Sequence, residues 1–597
     1  PSSSDGNIRC ADFFADDVPF PAGVELVVGN PPWKSNATAE TPAGHWCKSH
    51  GKPLPDMQIA AAFVWKAVEH VADEGRVCFV LPNGLLFHHS TTALAFQKAW
   101  MRQNAIDRVL NLADFRWFLF DKAVHPAIVV SYRKSPPENM RHRVEYWAPK
   151  ADWTVTQAEV ITVAPGDRTT VCAGDILQDL KGPDAPQIWK QRFWGTPRDL
   201  RLIDRLSLYS RLRDYVRSPR QKKSDKPWIM AVGFQPVGKS DDPEKAQTIA
   251  LPSNRFIPSK SEALDLFLLP GDCKELAASE TTVRSGSNKN TEVFRAPHVL
   301  MAKGFSGTAF ADFDVSFQDA VRGINGPASD RDLLVFLAAY LRSPLARYFF
   351  FHTSANWGLY GPEVHVEEVL RLPMPFPDQL PNPKRARQIV ETVAQIVTSA
   401  AGRAGGLFID REAIVREASS AVEPLIEEYF DILPLEKLLI DDTIKVVIPS
   451  IQPTRQRMPV ATVQPSSKAQ RLAYRDRVCE MLNGWAKGGD HTVWGTECAS
   501  EGLGIGMVVL EKVRRSEPVS TSADADGDVL AALDRLRAAT SRKAGVLDPV
   551  RGLMVFDRNR LYIAKPIGQR YWTQTAALND ADEIAGTILM QSGKERA

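Results

Sequence analysis

The sequence predicts an α/β chain. It should open with part of a doubly wound sheet and continue into a β-rich module, a helical spacer and a final α+β domain. Three observations carry this. Short apolar runs that stop at Gly or Pro (Val24–Gly29, Arg76–Asn83, Ile106–Leu112, Pro126–Tyr132) alternate early on with longer segments of helical spacing. From Trp228 that alternation gives way to short apolar stretches parted by Gly and Pro turns. Later, two helical patterns, Ala386–Ala401 and Arg411–Phe430, flank Gly402–Gly406 and precede a Pro/Ser/Gln-rich linker. The expected divisions are residues 1–134, a connecting region 135–227, the β-rich module 228–380, the spacer 381–450, the linker 451–468 and the last domain 469–597.

Composition narrows the class. With 597 residues, 44% of them hydrophobic, the chain is long enough for several packed domains. A formal net charge of +2 excludes a wholly basic coat, so any nucleic-acid surface must be local. Seven cysteines are scattered without a C-x-x-C pair, which points to reduced thiols, no metal site and a cytoplasmic protein. No apolar run nears the ~20 residues of a membrane span, so no membrane partner is expected.

The first element that carries chemistry is Val24-Glu25-Leu26-Val27-Val28-Gly29-Asn30-Pro31-Pro32-Trp33. A valine-rich run of this length reads as a buried parallel strand. Two prolines then end ladder bonding, because neither has an N–H to donate and both fix φ. The product is a rigid turn at the carboxyl end of a strand, where open α/β sheets place ligands. An Asn amide, a prolyl carbonyl and an indole face suit a planar ring with an exocyclic amino group. The two oxygens accept its N–H bonds while Trp33 stacks.

Asn30-Pro31-Pro32-Trp33 after an apolar strand resembles the catalytic [N/D/S]-P-P-[Y/F/W] motif of S-adenosylmethionine-dependent DNA amino-methyltransferases, and Asn in first place is similar to the adenine-specific branch. The likeness extends over about residues 7–134. A helix opening near Pro55-Asp56 carries Phe63. It is followed by Gly75-Arg76-Val77-Cys78-Phe79-Val80-Leu81-Pro82, a second helix about Thr91–Gln103, a further strand, and Phe120 ahead of Pro126-Ala127-Ile128-Val129-Val130. The resemblance implies a Rossmann-like fold, S-adenosylmethionine as cofactor, double-stranded DNA as partner, and roles for Asn30, Pro31, Pro32 and Trp33 in catalysis. It also implies Asp12 and Phe13 at the cofactor, Asp12 ending a strand over residues 7–14, and Phe120 against the target base. Read from the residues alone, Asp12 equally well caps the next turn and Phe120 equally well belongs to a core.

Further along, Arg198–Lys226 is strongly basic. Leu202, Ile203, Leu206, Tyr209, Leu212 and Val216 recur at helical spacing, so one amphipathic helix is expected, with Arg213, Arg217 and Arg220 as candidate phosphate contacts. The β-rich module includes Pro297–Gly304 with Lys303, a candidate DNA contact, and closes at Leu372-Pro373-Met374-Pro375-Phe376-Pro377. In place and ending it resembles the target-recognition domain of large restriction-type methyltransferases. In the last domain Trp485, Trp494 and Trp572 are expected in the core.

One family feature has no counterpart upstream of Asp12: the Gly-rich cofactor loop. Gly502–Gly506 and Val546–Gly552 are weak substitutes, since neither combines the glycines with a helix start. The expectation is therefore that a missing N-terminal segment or a partner chain supplies this loop. These 597 residues alone should then leave one edge of Val24–Val28 unpaired, bind the cofactor negligibly and tend to associate through that edge. The function expected is site-specific adenine methylation in restriction-modification or phage defence. The alternatives are a non-catalytic DNA-binding subunit, or a methyltransferase of RNA or of protein glutamine.

Overall fold

The computed structural model describes residues 10–15, 20–120, 125–151, 160–217, 224–258, 264–303, 307–361, 363–406, 409–451, 464–501, 504–515 and 553–594. The chain divides into two compact units. Residues 1–197 with 445–597 form one, and residues 198–444 the other.

The first unit opens with strand β1 (Val24–Gly29), helix α1 (Ile59–Ala67) and strand β2 (Val71–Pro82). Helix α2 (Thr91–Gln103), β3 (Ala105–Asn111), β4 (Ala127–Arg133), β5 (Arg143–Trp147) and β6 (Arg168–Cys172) complete its sheet. The strand order is β1-β2-β4-β3-β5-β6. β1 runs parallel to β2, β4 is antiparallel to both β2 and β3, and β5 is parallel to β3. The carboxyl ends of β1, β2, β3 and β5 therefore share one edge.

The helices follow from local sequence. In α2 the buried residues Ala93, Phe96, Gln97, Trp100 and Met101 recur three and four apart, and Ser90 Oγ accepts from the Ala93 N–H at 3.1 Å as N-cap. Helix α1 begins at Ile59 rather than at Pro55-Asp56, because Asp56 and Met57 take φ of 46° and 56°, outside the helical range. The Asp56 carboxylate instead accepts from Ser90 Oγ and Thr92 Oγ1, each at 3.0 Å, at the start of α2.

Both helices cover the same face of the sheet. Tyr132 of β4 donates to Val64 O of α1 at 2.8 Å and meets Trp100 of α2 edge-on at 5.3 Å. Val77, Phe79, Leu81, Ile128, Val130 and Val109 are buried on that face. The alternate residues Cys78, Val80, Val129 and Ser131 are only half-buried. The mixed α/β sheet expected from the sequence is thus present, but the second helical layer of a doubly wound sheet is not among the described residues. β1 accordingly differs from the buried strand its apolar run suggests. Among the described residues it pairs on one side only, and Leu26 and Val28 are 56% and 69% exposed. The strand over residues 7–14 is also replaced. In its described part Asp12 Oδ1 accepts from the Phe14 N–H at 2.9 Å, and Asp12 caps a turn.

The second unit begins with α3 (Pro197–Leu206), and here the expected basic helix is interrupted. Ser207 Oγ donates back to Ile203 O at 2.7 Å where α3 ends. The Leu212 and Arg213 N–H groups then donate to Leu372 O and Leu370 O, each at 2.9 Å, and Val216–Arg217 becomes strand β7. The periodicity of 202–216 is real, but the pairing partner at 370–372 outweighs helix continuation. With β7, the strands β8 (Trp228–Val232), β9 (Asp265–Phe267), β10 (His298–Ala302), β11 (Thr308–Ala311) and β12 (Val321–Asn325) form a sheet of order β9-β11-β10-β12-β8-β7. Phe234, Val293, Phe294, Leu300, Val315 and Phe317 belong to the core against it. Helices α4 (Arg331–Arg342) and α5 (Pro344–Thr353) follow, then α6 (Pro383–Ala404) and α7 (Arg411–Tyr429), which stand where the sequence places the spacer helices.

The remainder of the first unit holds α8 (Lys468–Trp485), β13 (His491–Ser500), β14 (Ile505–Arg514), β15 (Leu553–Asp557), β16 (Arg560–Pro566) and α9 (Gln574–Lys594). The four strands make an antiparallel sheet of order β13-β14-β16-β15. Trp572 is core, as expected, but Trp485 and Trp494 are 62% and 37% exposed. Trp485 is the last residue of α8. Trp494 lies on the face of β13 away from the helices, since its neighbour Gly495 faces Arg475 and Cys479 of α8. Gly502 and Val546–Gly552 lie outside the described residues. Among the described residues no single helix is long and apolar enough to cross a membrane.

The half-exposed face and free edge of β1 lead to a prediction. Val28→Lys should reduce concentration-dependent self-association of the 597-residue chain without lowering its melting temperature, because a lysine there blocks edge pairing and disturbs no packing. Sedimentation velocity and thermal melts check it. Unchanged association would mean that contacts between copies form elsewhere.

Candidate active site

The shared carboxyl edge gathers five of the residues singled out from the sequence: Asn30, Pro31, Pro32, Trp33 and Phe120. β1 ends at Gly29, where an added Cβ would lie 3.0 Å from the Phe79 ring and press on it. Asn30 follows and is exposed, and Pro31 is buried. Among the described residues neither the Asn30 amide nor the Pro31 carbonyl has a hydrogen-bond partner. The chain then turns inward. Trp33 Nε1 donates to Val80 O at 3.3 Å, and its ring meets Phe120 edge-on, with centroids 5.6 Å apart and planes at 86°. Such a pair contributes about 0.5–1.5 kcal/mol beyond burial. Val80, Leu110, Phe118 and Val129 pack against the same small core. The structure thus brings together Asn30, Pro31, Trp33 and Phe120, residues up to ninety positions apart in sequence. Pro32 is exposed within the turn.

Asp12 and Phe13 sit in a different setting. Phe13 stacks on Phe63 of α1 with centroids 4.9 Å apart and planes at 11°, and Lys66 Nζ lies 5.5 Å from its ring. Asp12 is exposed. This pair offers a carboxylate beside an aromatic wall, which fits the adenosine end of S-adenosylmethionine. Among the described residues, no Gly-rich strand-to-helix turn accompanies it to hold the methionine end. The fit is therefore partial.

The candidate DNA contacts are partly engaged. Arg217 forms an ion pair with Glu292 at 2.5 Å, Arg213 is half-buried, and Lys303 Nζ lies 3.6 Å from Asp319. Arg220 lies outside the described residues.

Sequence reasoning missed a buried charged group on the same edge. Asp114, just past β3, accepts from the Ala151 N–H at 2.7 Å, while its second oxygen is buried without a partner. Lys150 donates to Ala148 O and lies 4.2 Å and 4.7 Å from the Phe193 and Trp194 rings. Arg570, from the turn before α9, pairs with Asp167 at 3.5 Å. Burial pushes the Asp114 carboxyl up and lowers Lys150 to about 8. The only sequence signal was an Asp placed directly before an aromatic run, and no spacing rule ties it to Lys150.

Comparison with known proteins places the edge in a family. Residues 2–147 match the family model described as N-6 DNA Methylase. The match agrees with the resemblance read from Asn30–Trp33 and covers the segment that carries it. Solved structures similar to the chain include the type IIG restriction endonuclease BpuSI, at 11% identity, covering 69% of this chain and 55% of that one, with a TM-score of 0.28. Others are the M protein of the type I restriction enzyme EcoKI (18% identity, 21% and 25% covered, TM-score 0.17) and a modification subunit of a putative type I restriction enzyme from Vibrio vulnificus YJ016 (12% identity, 26% and 34% covered, TM-score 0.20). The chain spans about half the length of BpuSI. No curated protein matches this chain.

The buried group has a measurable signature. Lys150 is lowered to about 8 from 10.5, so between those values the unfolded chain binds a proton that the folded chain does not, and stability rises with pH through that window. Relative to Lys150→Met, the wild type should therefore gain roughly 3 kcal/mol between pH 8 and 10.5. Urea denaturation of both proteins across that range checks it. Parallel stability curves would place the lysine in solvent.

Proposed function

We propose that this chain is the catalytic and recognition part of a site-specific DNA methyltransferase acting on the 6-amino group of a flipped adenine, in restriction-modification or phage defence. The observation that carries this reading is the Asn30 amide. It is unpartnered at the carboxyl end of β1, beside the Pro31 carbonyl and the Trp33–Phe120 aromatic wall, in a segment that matches N-6 DNA methylases.

The chemistry follows from the donors and acceptors. Asn30 Oδ1 and Pro31 O accept the two N–H bonds of the adenine amino group, drawing its nitrogen out of conjugation with the ring and making its lone pair available. Trp33 and Phe120 hold the extruded base by stacking. S-adenosylmethionine, when bound, supplies the methyl group. The chain's residues need only position the nitrogen in line with that methyl and let the amino proton pass to water. Asp12 and Phe13 would hold the adenosine end. The edge of β1 that is unpaired among the described residues favours a cofactor-loop strand, from a further segment or a partner chain, pairing there. The second unit is the recognition part, with Lys303, Arg213 and Arg217 near the DNA backbone. The same free edge favours a second reading, in which the chain is a non-catalytic DNA-binding subunit.

Asn30 is exposed and unbonded, so Asn30→Ala should leave the melting temperature unchanged, keep DNA affinity, and cut methyl transfer by ~10²–10³. Trp33→Ala should weaken target-base capture by about 1–3 kcal/mol. Tritiated-methyl transfer to duplex DNA measures both in the whole protein. An Asn30→Ala protein that keeps more than half the wild-type rate would exclude the mechanism. Calorimetric titration with S-adenosylmethionine should give negligible binding to the 597 residues alone. Micromolar binding would locate a cofactor site in residues not assigned above.

A further inference from the structure

The second unit carries a chain of polar side chains that methyl transfer does not use. It starts from a close backbone approach. A Cβ on Gly233 would lie 2.2 Å from Phe317 O, so only glycine lets the 233–235 turn settle on the 317–319 segment. Phe234 N–H then donates to Phe317 O at 3.1 Å, and Asp319 N–H to Phe234 O at 3.0 Å, which sets Gln235 and Asp319 side by side.

Their side chains are ordered by donor and acceptor capacity. The Asp319 carboxylate only accepts, so the Gln235 amide turns its Nε2 toward it, at 2.8 Å. That leaves Gln235 Oε1 facing Arg284, whose Nε donates to it at 2.6 Å. The loop bearing Arg284 is braced as well. Arg284 N–H donates to Gln235 O at 3.0 Å, Gln235 N–H to Ser287 Oγ at 2.8 Å, and Asn288 Nδ2 to Val232 O at 2.8 Å. Arg284 is nevertheless exposed. Among the described residues its two terminal amino groups have no partner, and no carboxylate touches it.

A guanidinium fixed at Nε and open at both terminal nitrogens presents two N–H groups outward at a set spacing. That spacing matches the O6 and N7 acceptors which guanine shows in the major groove. We propose that Arg284 is a specificity-determining residue that reads a guanine of the target DNA, with Gln235 and Asp319 as positioning residues. This rests on the reading of the second unit as the DNA-recognition part.

Selection of the full chain against a randomised duplex library tests it, with methyl transfer measured separately. The wild type should enrich a sequence containing guanine. Arg284→Ala should lose the preference for guanine at one position by roughly 5- to 150-fold and keep the others, and Arg284→Lys should not restore it, because one ammonium cannot reproduce the two-pronged contact. Gln235→Ala should weaken the same position alone, with an unchanged melting temperature. An unchanged sequence in both variants overturns the proposal. So does a uniform loss at every position, which would mark a phosphate contact, and so does a wild type that enriches nothing. A wild type that enriches guanine at the Arg284-dependent position but never methylates even when the cofactor-loop strand is supplied overturns the methyltransferase reading and leaves this assignment standing.

Discussion

The candidate site depends on how pairing between β1 and β2 ends. Val28 and Gly29 lie opposite Cys78 and Phe79, and continuing that register would place Asn30 opposite Val80. Pro31 and Pro32 have no N–H with which to extend the ladder. The Val80 carbonyl is instead taken by the Trp33 indole N–H at 3.3 Å, so a side chain completes what the backbone cannot. Two consequences follow. Trp33 is drawn inward against Phe120, and Asn30, left at the crest of the turn, finds no partner for its amide among the described residues. Both the aromatic wall and the open acceptor come from one local failure of strand pairing.

Beside that crest, the edge is stiffened by charges kept out of water. Asp114 reaches the Ala151 N–H, which ties the residues after β3 to those after β5, and Asp167 meets Arg570 from the turn before α9. Burial moves Asp114 and Lys150 toward their neutral forms, so the group is held less by net attraction than by the absence of any better place for its charges. Asp114 immediately precedes the run Phe115–Phe120. The Asp114 bond therefore anchors the start of the segment that leads to Phe120. Residues more than four hundred positions apart in sequence thus meet at this edge.

Where neighbouring residues in sequence decide the structure, the sequence was readable. The N-cap Ser90 and the spacing of Phe96, Trp100 and Met101 put α2 where it is found, and the prolines after Gly29 put the turn where it is found. Asn30, Pro31, Trp33 and Phe120 were singled out through family resemblance, and the structure sets the Trp33 and Phe120 rings edge to face. The misses share one cause, a distant partner invisible to local pattern. Residues 202–216 keep helical spacing, but Leu212 and Arg213 pair with Leu372 and Leu370. Asp56 starts no helix because Ser90 and Thr92 claim its carboxylate. β1 reads as buried because valine and leucine dominate it, yet exposure depends on what lies beside a strand, and no residue within β1 encodes that.

Asn30 and Arg284 illustrate one principle on two different units. Buried polar groups are nearly always partnered, and exposed ones are usually free because they are mobile. Each departs from that description in part: the backbone that carries Asn30 is set by two prolines and by the anchored Trp33 after it, and the Arg284 side chain is held through its own Nε and a braced loop. Holding a side chain still while leaving its strongest hydrogen-bonding atoms unused costs conformational entropy that folding does not recover. That loss becomes useful when a ligand takes up those atoms, because the ordering has already been done before binding. An amide oxygen suits an exocyclic amino group and a forked cation suits the acceptor edge of guanine. On the proposed reading, the first position would meet the atom that reacts and the second a base of the recognised sequence.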